Sequence, residues 1–163
     1  MTAVDLRPAT WSDYSFAFRV HCAAMRPSVE PIFGWDERFQ ARYFRLHFNP
    51  AQRQIIRFAG VDVGIFSVEE QEESLFLALI AILPRYQQLG IGTTLIRGLQ
   101  REARERGFPV TLRVLKSNHR GRALYERLGF ALTGETDTHY QMEWSEGART
   151  SQSGPNDHEE GDA

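Results

Sequence analysis

One cysteine, one lysine and no long apolar run mark this 163-residue chain, and each scarcity excludes something. Cys22, alone, cannot close an internal disulfide, and its place on an apolar helical face reads as core packing rather than nucleophilic chemistry. No paired His, Cys or carboxylate spacing offers a metal set. The longest apolar run, Leu75 to Leu83, falls far short of the roughly 20 residues of a membrane span. No N-terminal signal segment stands out either, so the expectation is a cytoplasmic protein with no membrane partner. Lys116 is the sole lysine, and the eighteen arginines are scattered among acids instead of forming a basic stripe with interleaved aromatics. That argues against nucleic acid as a partner.

What the chain does have is core material. It is 42% hydrophobic, with eleven Phe and three Trp, enough for one sizeable domain. Its net charge of −2 is unevenly placed. Residues 146–163 hold five acids and one Arg, which leaves residues 1–145 at +2. From Glu146 onward Ser, Gly, Pro, Asn and acids replace apolar residues. The expected organisation is a folded domain over 1–145 and a disordered acidic tail over 146–163, since such a tail cannot repay its ordering entropy by burial.

Hydrophobic periodicity predicts a first strand at Val4–Pro8 and a helix capped by Ser12 and running to about Met25, followed by a loop from Arg26 to Trp35. Asp36 can cap a second helix to about Phe48, with Phe39, Tyr43 and Leu46 on one side and Phe44 and Phe48 widening the apolar stripe. Gln52–Phe58 and Val63–Glu69 flank the turn-forming Ala59-Gly60-Val61-Asp62 as a hairpin. Ser74–Leu83 reads as a central strand covered on both faces. A helix over Thr93–Arg106 closed by Gly107, a strand Val110–Leu115, a helix Arg120–Leu128 and a final pair, Phe130–Glu135 and His139–Trp144, complete the order.

The most informative segment is Gln87-Gln88-Leu89-Gly90-Ile91-Gly92-Thr93, a glycine-punctuated turn between the central strand and a helix. Glycines let backbone approach an anion closely, and the orphan N–H groups of a helix start carry partial positive charge, so a pyrophosphate suits the place. A dinucleotide fingerprint fails because Leu95 stands where a third glycine belongs, and no Gly-Lys-Ser/Thr supports a Walker loop. The spacing Gln87-x-x-Gly90-x-Gly92 resembles the acyl-CoA loop of the GNAT superfamily of coenzyme A-dependent N-acyltransferases. A second stretch, Lys116-Ser117-Asn118-His119-Arg120-Gly121-Arg122-Ala123-Leu124-Tyr125-Glu126-Arg127-Leu128-Gly129-Phe130, is similar to the family's other signature. The resemblance covers about residues 4–144. It implies a mixed α/β fold, a twisted sheet of six to seven strands flanked by about four helices, with the strand before the loop and the strand Val110–Leu115 splayed to admit the cofactor.

The activity so implied is transfer of an acetyl group from acetyl-CoA to a primary amine of a small molecule or a peptide N-terminus, by direct attack in a ternary complex without a metal. Neutralising a lysine-like amine at pH 7 costs roughly 4.6 kcal/mol, an α-amine only about 1 kcal/mol. By the resemblance, Tyr125 is general acid to the thiolate; it also fits a core tyrosine beside Leu124 and Leu128. A backbone N–H near Ile82 or Leu83 would polarise the thioester carbonyl, worth about 3 kcal/mol. Asn118 would contact the cofactor, or serve as an ordinary N-cap.

Many relatives carry an ionisable side chain on the central strand, and Leu75–Leu83 has none. Glu69 is the candidate base, set against a solvated hairpin end or a water relay. His119 and His139 read as surface residues. The acceptor pocket implied by the family falls on Glu30, Phe33, Trp35, Asp36 and Tyr140, where aromatics and acids suit a cationic amine. Two other readings stay open: a non-catalytic acyl-CoA-binding or regulatory module, and a toxin-like acetyltransferase acting on aminoacyl-tRNA. Nothing in the sequence fixes the oligomeric state, a homodimer included.

Overall fold

In the computed structural model, which describes residues 3–147, seven strands form one sheet in the order β1-β2-β3-β4-β5-β7-β6. The strands are β1 (Val4–Pro8), β2 (Gln54–Phe58), β3 (Val61–Glu70), β4 (Leu75–Ile82), β5 (Val110–Leu115), β6 (Ala131–Glu135) and β7 (His139–Trp144). Four helices flank them: α1 (Tyr14–Phe33), α2 (Glu37–His47), α3 (Ile91–Arg106) and α4 (His119–Arg127). All pairings are antiparallel except β4 with β5, which α3 joins by a crossover, as a parallel pair requires. Of the expected tail, 146–163, only Glu146 and Gly147 are described, and Glu146 pairs with Arg104 at 3.1 Å; the remainder lies outside the described residues. Among the described residues no helix is long and apolar enough to cross a membrane.

Each face of the sheet buries its own cluster. Val63, Phe66, Leu77, Leu112 and Val114 pack under α3 and α4 with Ile96, Leu99, Tyr125 and Leu128. Ile65 and Ala81 pack on the other face against Ala17 and Val20 of α1 and Phe44 of α2. Burying aliphatic side chains as fully as Ile65 or Ile96 is worth about 1.5–3 kcal/mol each. On β4 the alternation breaks at one point. Ser67 pairs with Leu79 and Val68 with Leu77, so Ala78 is an extra residue, a β-bulge. Leu75 and Leu77 therefore face α3, while Leu79 and Ala81, still two apart, face α1.

Three expectations need correction. The first helix does not stop near Met25 but continues through Pro27 and Pro31 to Phe33, replacing the expected loop. Each proline deletes one rung of the ladder and its ring crowds the preceding turn, a cost of about 3 kcal/mol in an isolated helix. The helix runs through both prolines all the same, tied near its end by the Ser28 carbonyl, which accepts the Ser117 hydroxyl, and Gly34 (φ 72°) ends it with its N–H on the Glu30 carbonyl at 2.9 Å. Nor does Ser12 cap it: Trp11–Asp13 form a 3-10 turn, Asp13 accepts the Thr10 N–H at 2.8 Å, and the helix proper begins at Tyr14. On α2 the buried side is Gln40 and Phe44, whereas Phe39, Tyr43 and Leu46 are exposed. Both stripes have helical spacing; Phe44 and Phe48 win because they stack edge-on with Tyr14 at 5.4 Å.

The hairpin turn is tighter than expected. Ala59 (φ 51°) and Gly60 (φ 78°) alone link β2 and β3, both in the left-handed region, as a two-residue type I′ connection demands.

Candidate active site

The glycine turn is built as the sequence suggests, with α3 starting two residues earlier than expected. After β4, Pro84–Tyr86 make one 3-10 turn, Gln88 (φ 64°) and Gly90 (φ 82°) take left-handed backbone, and Ile91 opens the helix. The first rung is Thr94 N–H to Gly90 C=O at 3.0 Å. The N–H groups of Ile91, Gly92 and Thr93 therefore precede the ladder, and no side chain caps them. A Cβ at Gly90 would meet nothing within 4 Å, so the fold leaves open space beside those N–H groups. Three convergent donors at the positive end of a 16-residue helix, facing open space, fit the diphosphate of coenzyme A.

Gln87 does not point into that space. Its Nε2 donates to the Ile82 carbonyl at 2.9 Å and staples the loop to the strand end. A direct cofactor contact from the Gln87 side chain is thereby replaced by a loop-shaping one.

β4 and β5 are hydrogen-bonded neighbours only over Leu75–Leu77 with Val110–Leu112. The pairing ends where the Ala78 bulge bends β4, and the remainder of the two strands, 78–82 and 113–115, bounds a gap. Leu83 N–H is already donated to Val63 C=O at 2.9 Å, which rules it out as a carbonyl polariser. By the alternation of an antiparallel ladder, the N–H groups of Ile80 and Ile82 then point away from β3, into the gap. Of the two expected positions, Ile82 keeps an available N–H.

Tyr125 lies on α4, the helix following β5, with its ring in the core at 8% exposure and edge-on to Phe130 at 5.8 Å. Burial pushes its phenol up to about 12. The hydroxyl makes no hydrogen bond to any described residue, yet no buried side-chain oxygen lacks a partner. The ring is thus sealed while the oxygen stays accessible, a protonated donor at the end of a core side chain. The ring is a core side chain, one of the two roles open to it from the sequence.

Asn118 precedes α4. Its Oδ1 accepts the Gly121 N–H at 3.0 Å as the N-cap of α4, which leaves Nδ2 free to donate elsewhere. A Cβ at Gly121 would sit 2.6 Å from that Nδ2, so a larger residue there would displace the capping side chain.

Glu69 is misplaced for a base. It pairs with Phe76, on the far side of β4 from β5, and Phe76 is six residues (about 20 Å of strand) from Ile82. Its charge acts on Arg53 instead. The expected acceptor residues do not form one pocket either. Glu30 pairs with Arg26 at 3.1 Å, Arg26 also covers Trp35 at 5.7 Å, and Asp36 caps α2 by accepting the Phe39 N–H at 2.9 Å. Phe33 is exposed at the end of α1. Tyr140 packs on the opposite face of the sheet, covered by Arg122 at 4.3 Å and Lys116 at 5.3 Å, so its ring already has its cations.

Sequence reasoning missed the grouping of Arg113, on the strand that bounds the gap, with His139 one strand beyond it. His139 and Arg113, on β7 and β5, share the face that carries α1, because their neighbours Tyr140, Met142, Val114 and Leu112 belong to the other. Ser117, beyond β5, donates its hydroxyl to the Ser28 carbonyl of α1 and ties that helix across the open end of the sheet. The paired cross-strand positions that assemble these contacts have no local sequence signal. Among the described residues no cluster of three or more His, Cys, Asp or Glu could hold a metal.

Residues 8–130 match the model of the Acetyltransferase (GNAT) family, and the chain belongs to that family. No curated protein matches it. Among solved structures, the PaiA N-acetyltransferase of Thermoplasma acidophilum in complex with coenzyme A superposes with a TM-score of 0.73 at 15% identity, over 88% of this chain and 99% of the other. The ribosomal-protein-S18-alanine N-acetyltransferase of Escherichia coli gives 0.63 at 21% identity, over 88% and 94%. Arabidopsis thaliana Naa50, bound to the bisubstrate analogue CoA-Ac-MVNAL, gives 0.58 at 14%, over 87% and 98%. At these identities the likeness is one of fold, a mixed α/β sheet with a shared layout.

Proposed function

We propose that residues 1–145 form an N-acetyltransferase domain that moves an acetyl group from acetyl-CoA to the primary amine of a small molecule or a peptide N-terminus. The observation that carries this reading is the bare helix start at Ile91–Thr93 opening beside the gap where β4 leaves β5. The backbone groups of the loop hold the diphosphate, and the strand edge at Ile80 and Ile82 aligns the pantetheine arm. The Ile82 N–H, pointing into the gap, polarises the thioester carbonyl, a contribution of about 3 kcal/mol. Tyr125 keeps its proton through neutral pH, as its raised pKa requires, and gives it to the departing thiolate. Asn118 Nδ2 is the further donor toward the cofactor.

An α-amine suits the site better than a lysine side chain. Its proton costs about 1 kcal/mol to remove at pH 7 rather than roughly 4.6, and no carboxylate faces the gap from β4. The complexed ligands named for the PaiA and Naa50 structures, coenzyme A and a CoA–peptide conjugate, support the same choice of co-substrate and acceptor. Thiol release from acetyl-CoA, measured over a panel of amines and short peptides, tests the proposal. Amine-dependent release supports it, and cofactor binding without release with every amine favours a binding module instead.

A further inference from the structure

The acetyl-transfer reading leaves the acceptor's proton without a destination, and this inference rests on that reading. A titratable side chain stands one strand beyond the gap, across β5 from it. His139 is the first residue of β7 and stands opposite Leu115, the last residue of β5, one strand spacing of about 4.8 Å from the rim of the gap. It is half-buried and lies on the α1 face, whereas Tyr125 belongs to the core on the α3 and α4 face. The two proton-handling groups thus approach the gap from opposite faces of the sheet.

His139 is also oriented. Its Nδ1 is 2.7 Å from the Thr138 hydroxyl, and its backbone N–H is fixed by Thr136 Oγ1 at 3.0 Å. The tautomer that serves as a base is the one in which Nδ1–H donates to the Thr138 hydroxyl, which leaves the lone pair on Nε2, where no described residue makes a hydrogen bond. Arg113 is paired with Gln141, two residues along β7 on the same face, a diagonal separation of about 7–8 Å from His139. Burial and that guanidinium both hold the imidazole below its ordinary pKa, so it is neutral at pH 7. The other charges nearby are Asp137 in the β6–β7 turn and Lys116 with Glu135, which satisfy each other at 2.8 Å. Arg113 itself is exposed and takes part in no ion pair among the described residues.

We infer that His139 is the general base for the acceptor amine, with Arg113, its diagonal neighbour on the same face of the sheet, as the positioning charge. Nε2 takes one proton from the acceptor ammonium. The freed lone pair forms the C–N bond at the thioester carbonyl, the C–S bond breaks and the thiolate receives the Tyr125 proton; the second N–H proton of the nascent amide passes through solvent to the Tyr125 phenolate, and the His139 imidazolium gives its proton to solvent.

The test is a pH–rate profile of kcat/KM for the amine on the full chain, with H139Q and R113Q beside wild type. H139Q retains bulk and a hydrogen bond to Thr138, and the expected result is about 10²-fold lower kcat/KM at pH 7, no acid limb, and a CoA affinity within about twofold of wild type. R113Q, with His139 intact, moves the acid limb to higher pH because the repelling charge is gone. An active wild type whose H139Q variant keeps both its rate and its acid limb, or whose R113Q variant leaves the limb in place, overturns the base. A wild-type protein that binds CoA but releases none with any amine overturns the acetyl-transfer reading, and the base along with it.

Discussion

Replacing Tyr125 by Phe removes one oxygen and little else, because the ring is in the core and the hydroxyl has no partner in the fold. Near neutral pH the variant should therefore match wild type in stability to within about 0.5 kcal/mol. Alkaline pH separates them. Burial raises the phenol from its ordinary value near 10 to about 12, so the folded protein keeps a proton that the unfolded chain releases between those values. The sign follows: the contribution of the neutral phenol is complete below pH 10 and is lost as pH rises through 12. Two pH units at 1.36 kcal/mol each come to roughly 2–3 kcal/mol, and the Y125F variant has no phenolic proton to lose. Urea unfolding at several pH values between 9 and 12 should show wild type falling by that amount relative to Y125F. Turnover at pH 7.5 should drop about 10²-fold while CoA affinity measured by calorimetry stays within about twofold. Parallel alkaline unfolding curves would refute the burial argument, and turnover within about twofold of wild type would refute the acid.

Three further outcomes are expected. Gly90→Ala places a side chain at φ 82° with no clash, so stability should fall by only about 1–2 kcal/mol in chemical unfolding, whereas the methyl intrudes on the diphosphate and CoA affinity should drop at least about tenfold. Asn118→Ala should cost about 0.5–2 kcal/mol by uncapping α4; Asn118→Asp should restore the melting temperature but not CoA binding, since it returns the acceptor and not the Nδ2 donor. Asp13, held down to about 2 by its hydrogen-bonded pair with Arg7 at 2.8 Å, contributes stability above its ordinary pKa that disappears as pH falls from about 4 through 2; Asp13→Asn should flatten the acid side of the stability curve over that window.

Local chemistry was legible in the sequence where one short segment decides it. Gly107 marks the end of α3, Asp36 and Asn118 cap the helices they precede, and the apolar run at Leu75 predicts a covered central strand. The misreadings share a cause, which is that the competing energies were tertiary. Pro27 and Pro31 look like helix breakers, yet α1 passes through both and is tied between them by the Ser117–Ser28 contact, and Phe39 looks as apolar as Phe44 until Tyr14 selects one of them. The gap is the same kind of case, since Ala78 is an ordinary alanine whose bulge exists only in the pairing with Ser67 and Val68. Glu69 seemed a base because the strand bearing it was expected to reach the site, and register placed it at the wrong end. Cross-strand register likewise sets His139 near Arg113, a proximity that no motif encodes.

The backbone amides that open α3 can be watched directly. In a ¹H–¹⁵N titration of the full chain with coenzyme A, the resonances of Ile91, Gly92 and Thr93 should show the largest shifts, saturate together, and respond less to a cofactor fragment that lacks the diphosphate. Shifts concentrated elsewhere, with those three unmoved at saturation, would contradict the anion site on which the proposed chemistry depends.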